Sequence, residues 1–182
     1  MQMEPVLKGR AYQLGKDVRD NVNTDIIIPP ENLMRFDRAY LGQRAMDGLP
    51  GLRPGVFATQ VAEGFNIIVA GENFGCGSMR AHAVYALGGA GVQAILATSY
   101  ARTFYRNAVN CGYLVPIIVE RDAVEGIHWG DRLEIHLATN EVRNVSTQDV
   151  YATTPFPTVI GDIIDVGGLA EYNKRRLLAN KV

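Results

Sequence analysis

The run FNIIVA at Phe65–Ala70, followed by GENFGCGSMRAHA at Gly71–Ala83, decides how this chain is read. The first six residues form an apolar, strand-like segment, and the residues from Arg80 onward are helix-like. Between them lie three glycines and a serine. A Gly-rich turn from strand into helix gathers backbone N–H groups and a helix N-terminus in one place, a geometry that receives anions. Ser78 adds a hydroxyl and Arg80 a guanidinium, whose planar fork suits two-point capture of a carboxylate. Walker-type loops need Gly-Lys-Ser/Thr, and this loop has no lysine. A dinucleotide fingerprint needs a third glycine where Arg80 stands. A polyacid is therefore the better match. The competing reading is a structural turn whose glycines only permit tight backbone geometry.

Working outward, the helix is expected over Arg80–Leu87, stopping at Gly88-Gly89. Ala94–Ala97 reads as a short buried strand. Thr98 or Ser99 then caps a helix through Ala108–Asn110, with Gly112 as its stop. Val115–Val119, apolar and β-branched, is another interior strand. This β-α-β-α-β order predicts parallel strands with helices on at least one face. Upstream, Gly9–Val18 suggests a first strand and turn, then Asn23-Thr24-Asp25 and the apolar run Ile26–Ile28, which Pro29-Pro30 ends. Glu31–Pro54 is mixed: an exposed loop with Met34, Arg35 and Phe36, then a short helix over Arg38–Met46. Long polar loops of this kind carry binding residues. Downstream, Arg132, Glu134 and His136 alternate with Leu133, Ile135 and Leu137, a half-exposed strand. Glu141–Ser146 pairs with it through the Thr139-Asn140 turn. Val159–Val166 and Leu169–Leu178 read as one or two amphipathic helices.

At 182 residues the chain can bury a proper core, and one domain spanning 1–182 is the expectation. Eighteen Lys and Arg against nineteen Asp and Glu leave it near neutral, with no basic stripe, so nucleic acid is not an expected partner. The apolar runs are far shorter than the ~20 residues that span a bilayer, and no secretory signal is visible at Met1–Asp20. Two cysteines, Cys76 and Cys111, make no disulfide framework, and a reducing cytoplasm is the expected compartment. Nor can they supply the thiolates of an iron–sulfur cluster. A zinc site from Cys76, His82 and Cys111 would match no familiar ligand spacing, so no metal is expected on this chain alone.

Within the loop, a serine hydroxyl is a poor base unless its alkoxide is stabilised by N–H donors, a helix N-terminus and a nearby cation. Ser78 would have all three. His82, four residues on, raises the rival of a Ser-His hydrolase, but no G-x-S-x-G elbow surrounds Ser78. A packed, locally bonded helix histidine is the preferred reading of His82. Cys76 at a helix start could have an activated thiol, yet no base accompanies it, and it reads as a small loop filler. His128 reads as structural and His136 as solvated. Asp25 could be a turn or cap residue.

Taken together, several segments resemble one family. They are Asn23-Thr24-Asp25-Ile26-Ile27-Ile28-Pro29, GENFGCGS at Gly71–Ser78 with Arg80 and His82, Ala97-Thr98-Ser99-Tyr100-Ala101, Phe104-Tyr105-Arg106-Asn107-Ala108, Gly112–Pro116, and Gly167-Gly168-Leu169-Ala170-Glu171-Tyr172. The chain resembles the small subunits of the isopropylmalate isomerase (3-isopropylmalate dehydratase) family, equivalent to the swivelling last domain of aconitase and homoaconitase. The resemblance implies an α/β fold, a swivelling β/β/α domain with a mixed sheet. It closes over a large subunit, in a heterodimer or heterotetramer, and that partner carries a [4Fe–4S] cluster acting as Lewis acid. It also implies dehydration and rehydration of a hydroxy polycarboxylate, with Ser78 as the base that takes a proton from carbon. Arg80 becomes a substrate-carboxylate ligand, and Asp25 an active-site aspartate that pairs with a histidine of the large subunit. Cys76, Gly77 and Met79 belong to the substrate-facing turn.

Two departures stand in that turn. Relatives read Gly-Ser-Ser-Arg-Glu-His where this chain has Gly77-Ser78-Met79-Arg80-Ala81-His82, so a serine is replaced by Met79 and a glutamate by Ala81. In the loop after Asn23-Thr24-Asp25, homoaconitase-like members place an arginine where Met34 falls. Met34 would instead meet a branched alkyl group, while adjacent Arg35 would reverse that preference if the register shifted by one. The expected function is a hydro-lyase subunit of leucine biosynthesis interconverting 2- and 3-isopropylmalate. The alternatives are the same chemistry on homoaconitate, a methylated malate or citraconate, or a non-catalytic anion-binding module.

Overall fold

Three consecutive residues, Ile67, Ile68 and Val69, are completely buried, yet they belong to two different cores. Side chains alternate along a strand, so a segment with no polar position must be covered on both faces. The structure, a computed structural model, describes residues 6–179 and shows how that cover is built. Strand β1 (Val6–Gln13) runs parallel to β2 (Ile67–Val69), which is followed outward by β3 (Ala94–Ala97) and β4 (Val115–Ile118), all parallel. On its other side β1 pairs antiparallel with β5 (Arg132–His136), then β6 (Glu141–Asn144) and β7 (Val150–Ala152). The seven-stranded order is β4-β3-β2-β1-β5-β6-β7, with β1 the seam between parallel and antiparallel halves. Beyond the named strands, Val119 bridges Thr153, and the Thr154 N–H donates to the Ile118 carbonyl at 2.9 Å. The ends of the two outermost strands therefore meet, and the sheet curls on itself.

One core fills the face covered by four helices: α2 (Arg38–Gln43), α3 (Val56–Ala62), α4 (His82–Ala90) and α5 (Arg102–Cys111). Tyr12, Ile68 and Ile95 of the sheet meet Leu41, Phe57, Leu87 and Phe104 there. The other face gathers Val69, Leu96 and Ile117 with Leu133, Ile135 and Val142 of the antiparallel half, and Ala123 and Val124 of α6 (Arg121–Gly126) plug it. Two last helices, α7 (Thr158–Asp165) and α8 (Leu169–Ala179), lie against α5. Between them, Gly168 passes so close to the end of α5 that a side chain at Gly112 would meet its backbone nitrogen at 2.4 Å. This is the α/β architecture with a mixed sheet expected from the sequence.

Three local expectations need correction. Helix α4 starts at His82 rather than Arg80, and it runs through Gly88-Gly89 to a left-handed cap at Gly91. These two glycines do not stop the helix. They let other chain segments approach it: a Cβ on Gly88 would sit 2.5 Å from the Tyr113 side chain, and one on Gly89 2.1 Å from the Arg38 carbonyl oxygen. Helix α5 starts at Arg102 behind Ala101 and has no side-chain cap, because the Ser99 hydroxyl accepts the Asn73 N–H instead. Its stop at Gly112 is as expected. The Tyr100 hydroxyl, 2.6 Å from the Ile95 carbonyl and 3.0 Å from that of Ile117, ties β3 to β4. Burial pushes this phenol well above its ordinary pKa and keeps it a donor.

Gly89→Ala sets two magnitudes against each other. Helix propensity favours alanine by about 1 kcal/mol, whereas overpacking against rigid backbone costs about 1–3 kcal/mol or more. The clash is with a carbonyl of α2, which cannot rotate away, so net destabilisation is expected. A lower midpoint in urea unfolding checks it.

Candidate active site

The loop 71–78 is laced residue by residue to two neighbouring segments. Gly71 donates to the Arg19 carbonyl, Glu72 to Asp20 Oδ1, Phe74 to the Ser99 carbonyl and Gly75 to that of Val22, all within 3.0 Å. Phe74 is completely buried and packs edge-on against Phe104 at 5.2 Å between ring centroids. Two glycines make the path possible. Gly75 and Gly77 take left-handed φ of 77° and 100°, and a side chain on Gly77 would lie 2.5 Å from Asn23 Oδ1. That close approach brings the loop against α1 (Thr24–Ile27), a short helix capped by Asn23, whose Oδ1 accepts the Asp25 N–H at 2.9 Å. Thr24 is bonded from both sides: its N–H donates to the Cys76 carbonyl at 2.7 Å, and its Oγ1 accepts the Ser78 N–H at 2.8 Å.

This junction puts Ser78 and Arg80 beside Asp25. All three line one cavity of about 10 Å³, walled by Thr24, Ile28, Leu33, His82 and Ala83. Ser78 is half-buried, while Arg80 and Asp25 are exposed at the mouth. The Ser78 Oγ accepts the Arg80 N–H at 3.3 Å. A backbone donor and a guanidinium-bearing neighbour are thus present, but α4 begins only at His82. The delay has a cause: Ser78 N–H and Oγ are both engaged, and the Met79 carbonyl is held by Asn107 Nδ2 at 3.2 Å. The first helical bond runs from Tyr85 N–H to the Ala81 carbonyl.

The remaining sequence candidates distribute unevenly. Cys76 turns its thiol to the Asn21 carbonyl at 3.3 Å. Gly77 forms the bend, and Met79 is exposed beside Ser78. Met34 is 90% exposed and does not wall the cavity; Arg35 lays its guanidinium over the Tyr40 ring at 4.2 Å. The wall comes from their neighbour Leu33, which sequence reasoning missed along with Thr24 and Ile28. An apolar residue at the end of the short 3₁₀ turn Pro30–Asn32 carries no chemical signal, so only packing could have pointed to it.

His82 is 5% exposed, and neither ring nitrogen closes a hydrogen bond. Burial, and then the Arg80 charge, push its pKa below the ordinary value; the nearby carbonyls of Leu33 and Arg35 pull the other way and lose. The ring is therefore neutral at pH 7. It is packed as expected, but it lacks the local hydrogen bond expected of it.

Among the described residues, no three His, Cys, Asp or Glu side chains come together as a metal site, so these residues do not fit a cluster held by this chain. The cavity at Ser78 holds about one water, far from the ~300 Å³ or more of a ligand pocket. Roomier clefts of 320–430 Å³ lie elsewhere, and none of them includes Ser78 or Arg80. Among the described residues, Ser78 and Arg80 therefore sit at the mouth of this small cavity rather than in any of the roomier clefts.

Residues 55–122 match the family model described as the aconitase C-terminal domain, which gives the class of the fold. Over 171 residues the chain is 40% identical to the 3-isopropylmalate dehydratase small subunit of Caldanaerobacter subterraneus subsp. tengcongensis, covering 94% of this chain and 99% of that protein. It is 39% identical to the isopropylmalate/citramalate isomerase small subunit of Methanocaldococcus jannaschii, covering 96% and 98%. The crystal structure of 3-isopropylmalate dehydratase from that organism superposes with a TM-score of 0.84 at 39% identity, covering 97% of this chain and 98% of its own. The chain belongs to the family of 3-isopropylmalate dehydratase small subunits.

Thr24→Val removes the acceptor of the Ser78 N–H while keeping the side-chain shape. Leaving a part-buried amide unpaired costs about 1–3 kcal/mol. Thermal unfolding should shift down accordingly, and the Ser78 amide should exchange faster with deuterium while the strands keep their protection.

Proposed function

We propose that this chain is the catalytic small subunit of a two-component hydro-lyase that interconverts 2- and 3-isopropylmalate by dehydration and rehydration. The observation that carries the reading is the convergence of Ser78, Arg80 and Asp25 on one mouth too shallow to enclose a dicarboxylate. A second surface must complete the pocket, and the relatives are named as small subunits.

In this reading Ser78 Oγ takes the proton from substrate carbon as the hydroxyl on the adjacent carbon leaves and the double bond forms. Rehydration reverses the transfer with the hydroxyl added at the other carbon. The Arg80 N–H already points at that oxygen, and the Arg80 guanidinium and the nearby start of α4 offer further stabilisation to an anion there. The same guanidinium pairs with a substrate carboxylate. Exposed Asp25 is free to orient a group of the large subunit. Met79 and Met34 present exposed thioether chains suited to an isopropyl group. The large subunit is taken to hold the [4Fe–4S] cluster, which would act as Lewis acid on the departing hydroxyl. The isopropylmalate/citramalate isomerase of Methanocaldococcus favours one second reading, the same chemistry on citramalate, whose methyl group would meet the same two methionines.

Co-expression with the large subunit tests the function. The pair should convert 2-isopropylmalate to its isomer and this chain alone should not; turnover by the isolated chain contradicts the proposal. Ser78→Ala should lower kcat by about 10²–10⁴-fold, the usual share of a positioned base, with assembly intact. Arg80→Lys keeps the charge but loses the fork, so KM should rise about tenfold or more while kcat falls less. Steady-state kinetics on the purified complexes separate the two.

A further inference from the structure

His82 lies behind the mouth, and the reading of the loop chemistry gives it no task. Its position is nonetheless a junction. It is the first residue of α4 and follows Arg80 by two positions, sharing the small cavity with Ser78, Arg80 and Asp25. The Phe36 ring rests against it with centroids 4.6 Å apart, although Phe36 is otherwise 71% exposed. The main-chain carbonyls of Leu33 and Arg35 face the imidazole from the same loop. Residues 33–36 are therefore seated on one side chain, and two of them are Met34 and Arg35.

A residue wanted only for packing would not be a histidine. Phenylalanine would fill the space without burying two nitrogens that find no partner, and such orphaned polar atoms are rare enough to need a reason. A neutral imidazole has one N–H and one lone pair, so it can serve only one of the two facing carbonyls at a time. An imidazolium could serve both. The charged and titratable groups around it are Arg80 from the turn before α4, Tyr85 on α4 and Asp25 from α1, whereas Arg35 offers its carbonyl and lays its guanidinium over Tyr40. Burial first, and then the Arg80 charge, disfavour the imidazolium, and a carboxylate bound to Arg80 would relieve the second of these.

We propose that His82 is the positioning residue of the substrate-facing loop: its buried imidazole nitrogens, facing the Leu33 and Arg35 carbonyls, seat residues 33–36 and set where Met34 and Arg35 meet the substrate's alkyl end. The assignment of that loop to the substrate rests on the function proposed above; the seating itself does not. Occupancy of the mouth by a dicarboxylate then favours proton uptake at His82, which adds a second N–H to the seat and draws the loop in.

Hydrogen–deuterium exchange on the full chain tests the seating without any assay. In His82→Phe the amides of Leu33 and Arg35, whose N–H groups are bonded to the Pro30 and Asn32 carbonyls, should exchange about tenfold faster once the nitrogens facing the loop are gone, while β2 and β3 keep their protection. Should His82→Phe not fold, His82→Gln, which keeps a donor and an acceptor without titrating, takes its place and should exchange at a rate close to the parent's. Parent-like exchange at Leu33 and Arg35 in His82→Phe, or faster exchange there in His82→Gln, overturns the seating.

Kinetics of the co-expressed complex test the consequence. His82→Phe should carry most of its loss in KM for 2-isopropylmalate, about tenfold. The parent's KM should vary with pH below about 6.5, and His82→Gln should recover the parent KM at pH 8 but lose that variation. A loss confined to kcat, or an unaltered pH profile in His82→Gln, overturns the link to substrate. If exchange behaves as described and the complex turns over no hydroxy polycarboxylate at all, the proposed function fails and the seat stands.

Discussion

One hydrogen bond holds the chemistry in place: the N–H of Ser78 to the side-chain oxygen of Thr24, at 2.8 Å. It joins two stretches more than fifty residues apart, each weak by itself. The capped turn of α1 is four residues long, and the loop 71–78 crosses left-handed backbone at Asn73, Gly75 and Gly77. Neither could keep a serine oxygen fixed alone. Bonded together, with the Cys76 carbonyl taken by Thr24 and the Gly75 amide by Val22, they form a short parallel seam at the carboxyl end of β2. Ligands of open parallel sheets gather at that end of the strands.

The rest of the fold steadies that seam. Phe74 anchors the middle of the loop in the helix-side core, Ser99 fastens it to the segment after β3, and Tyr100 binds β3 to β4 beneath. Arg80, Asp25 and Met79 stay exposed because none of the described elements covers them. Rigid support behind and open space in front suit a surface completed by another polypeptide.

Where physics acts locally, the sequence was readable. Ala94–Ala97 was placed to the residue because a four-residue apolar run between Gly91 and Thr98 leaves nothing else to form. The alternation at 132–137 and the Thr139-Asn140 turn marked the hairpin, and Asn140 does take a left-handed φ of 55°. Reading failed where tertiary contact decides. Gly88-Gly89 looked like a stop and instead admits α2 and Tyr113; Ser99 looked like a cap and is spent on the loop. Helices α3 and α6 and strand β7 are three to seven residues long and were passed over, since so short a run shows no period. In the site, Ser78 and Arg80 stood out by type and spacing, whereas Asp25 entered only through the family resemblance. Leu33 and Thr24 could not stand out, because their part is geometric.

The meeting of Val119 with Thr153 has a wider consequence. An open mixed sheet would present two unpaired ladders, each able to recruit a neighbouring molecule by strand addition. Here those margins are turned toward one another, so the backbone that most invites indiscriminate assembly is partly used up within the molecule. Fewer open strand margins leave fewer places at which copies of the chain can join edge to edge.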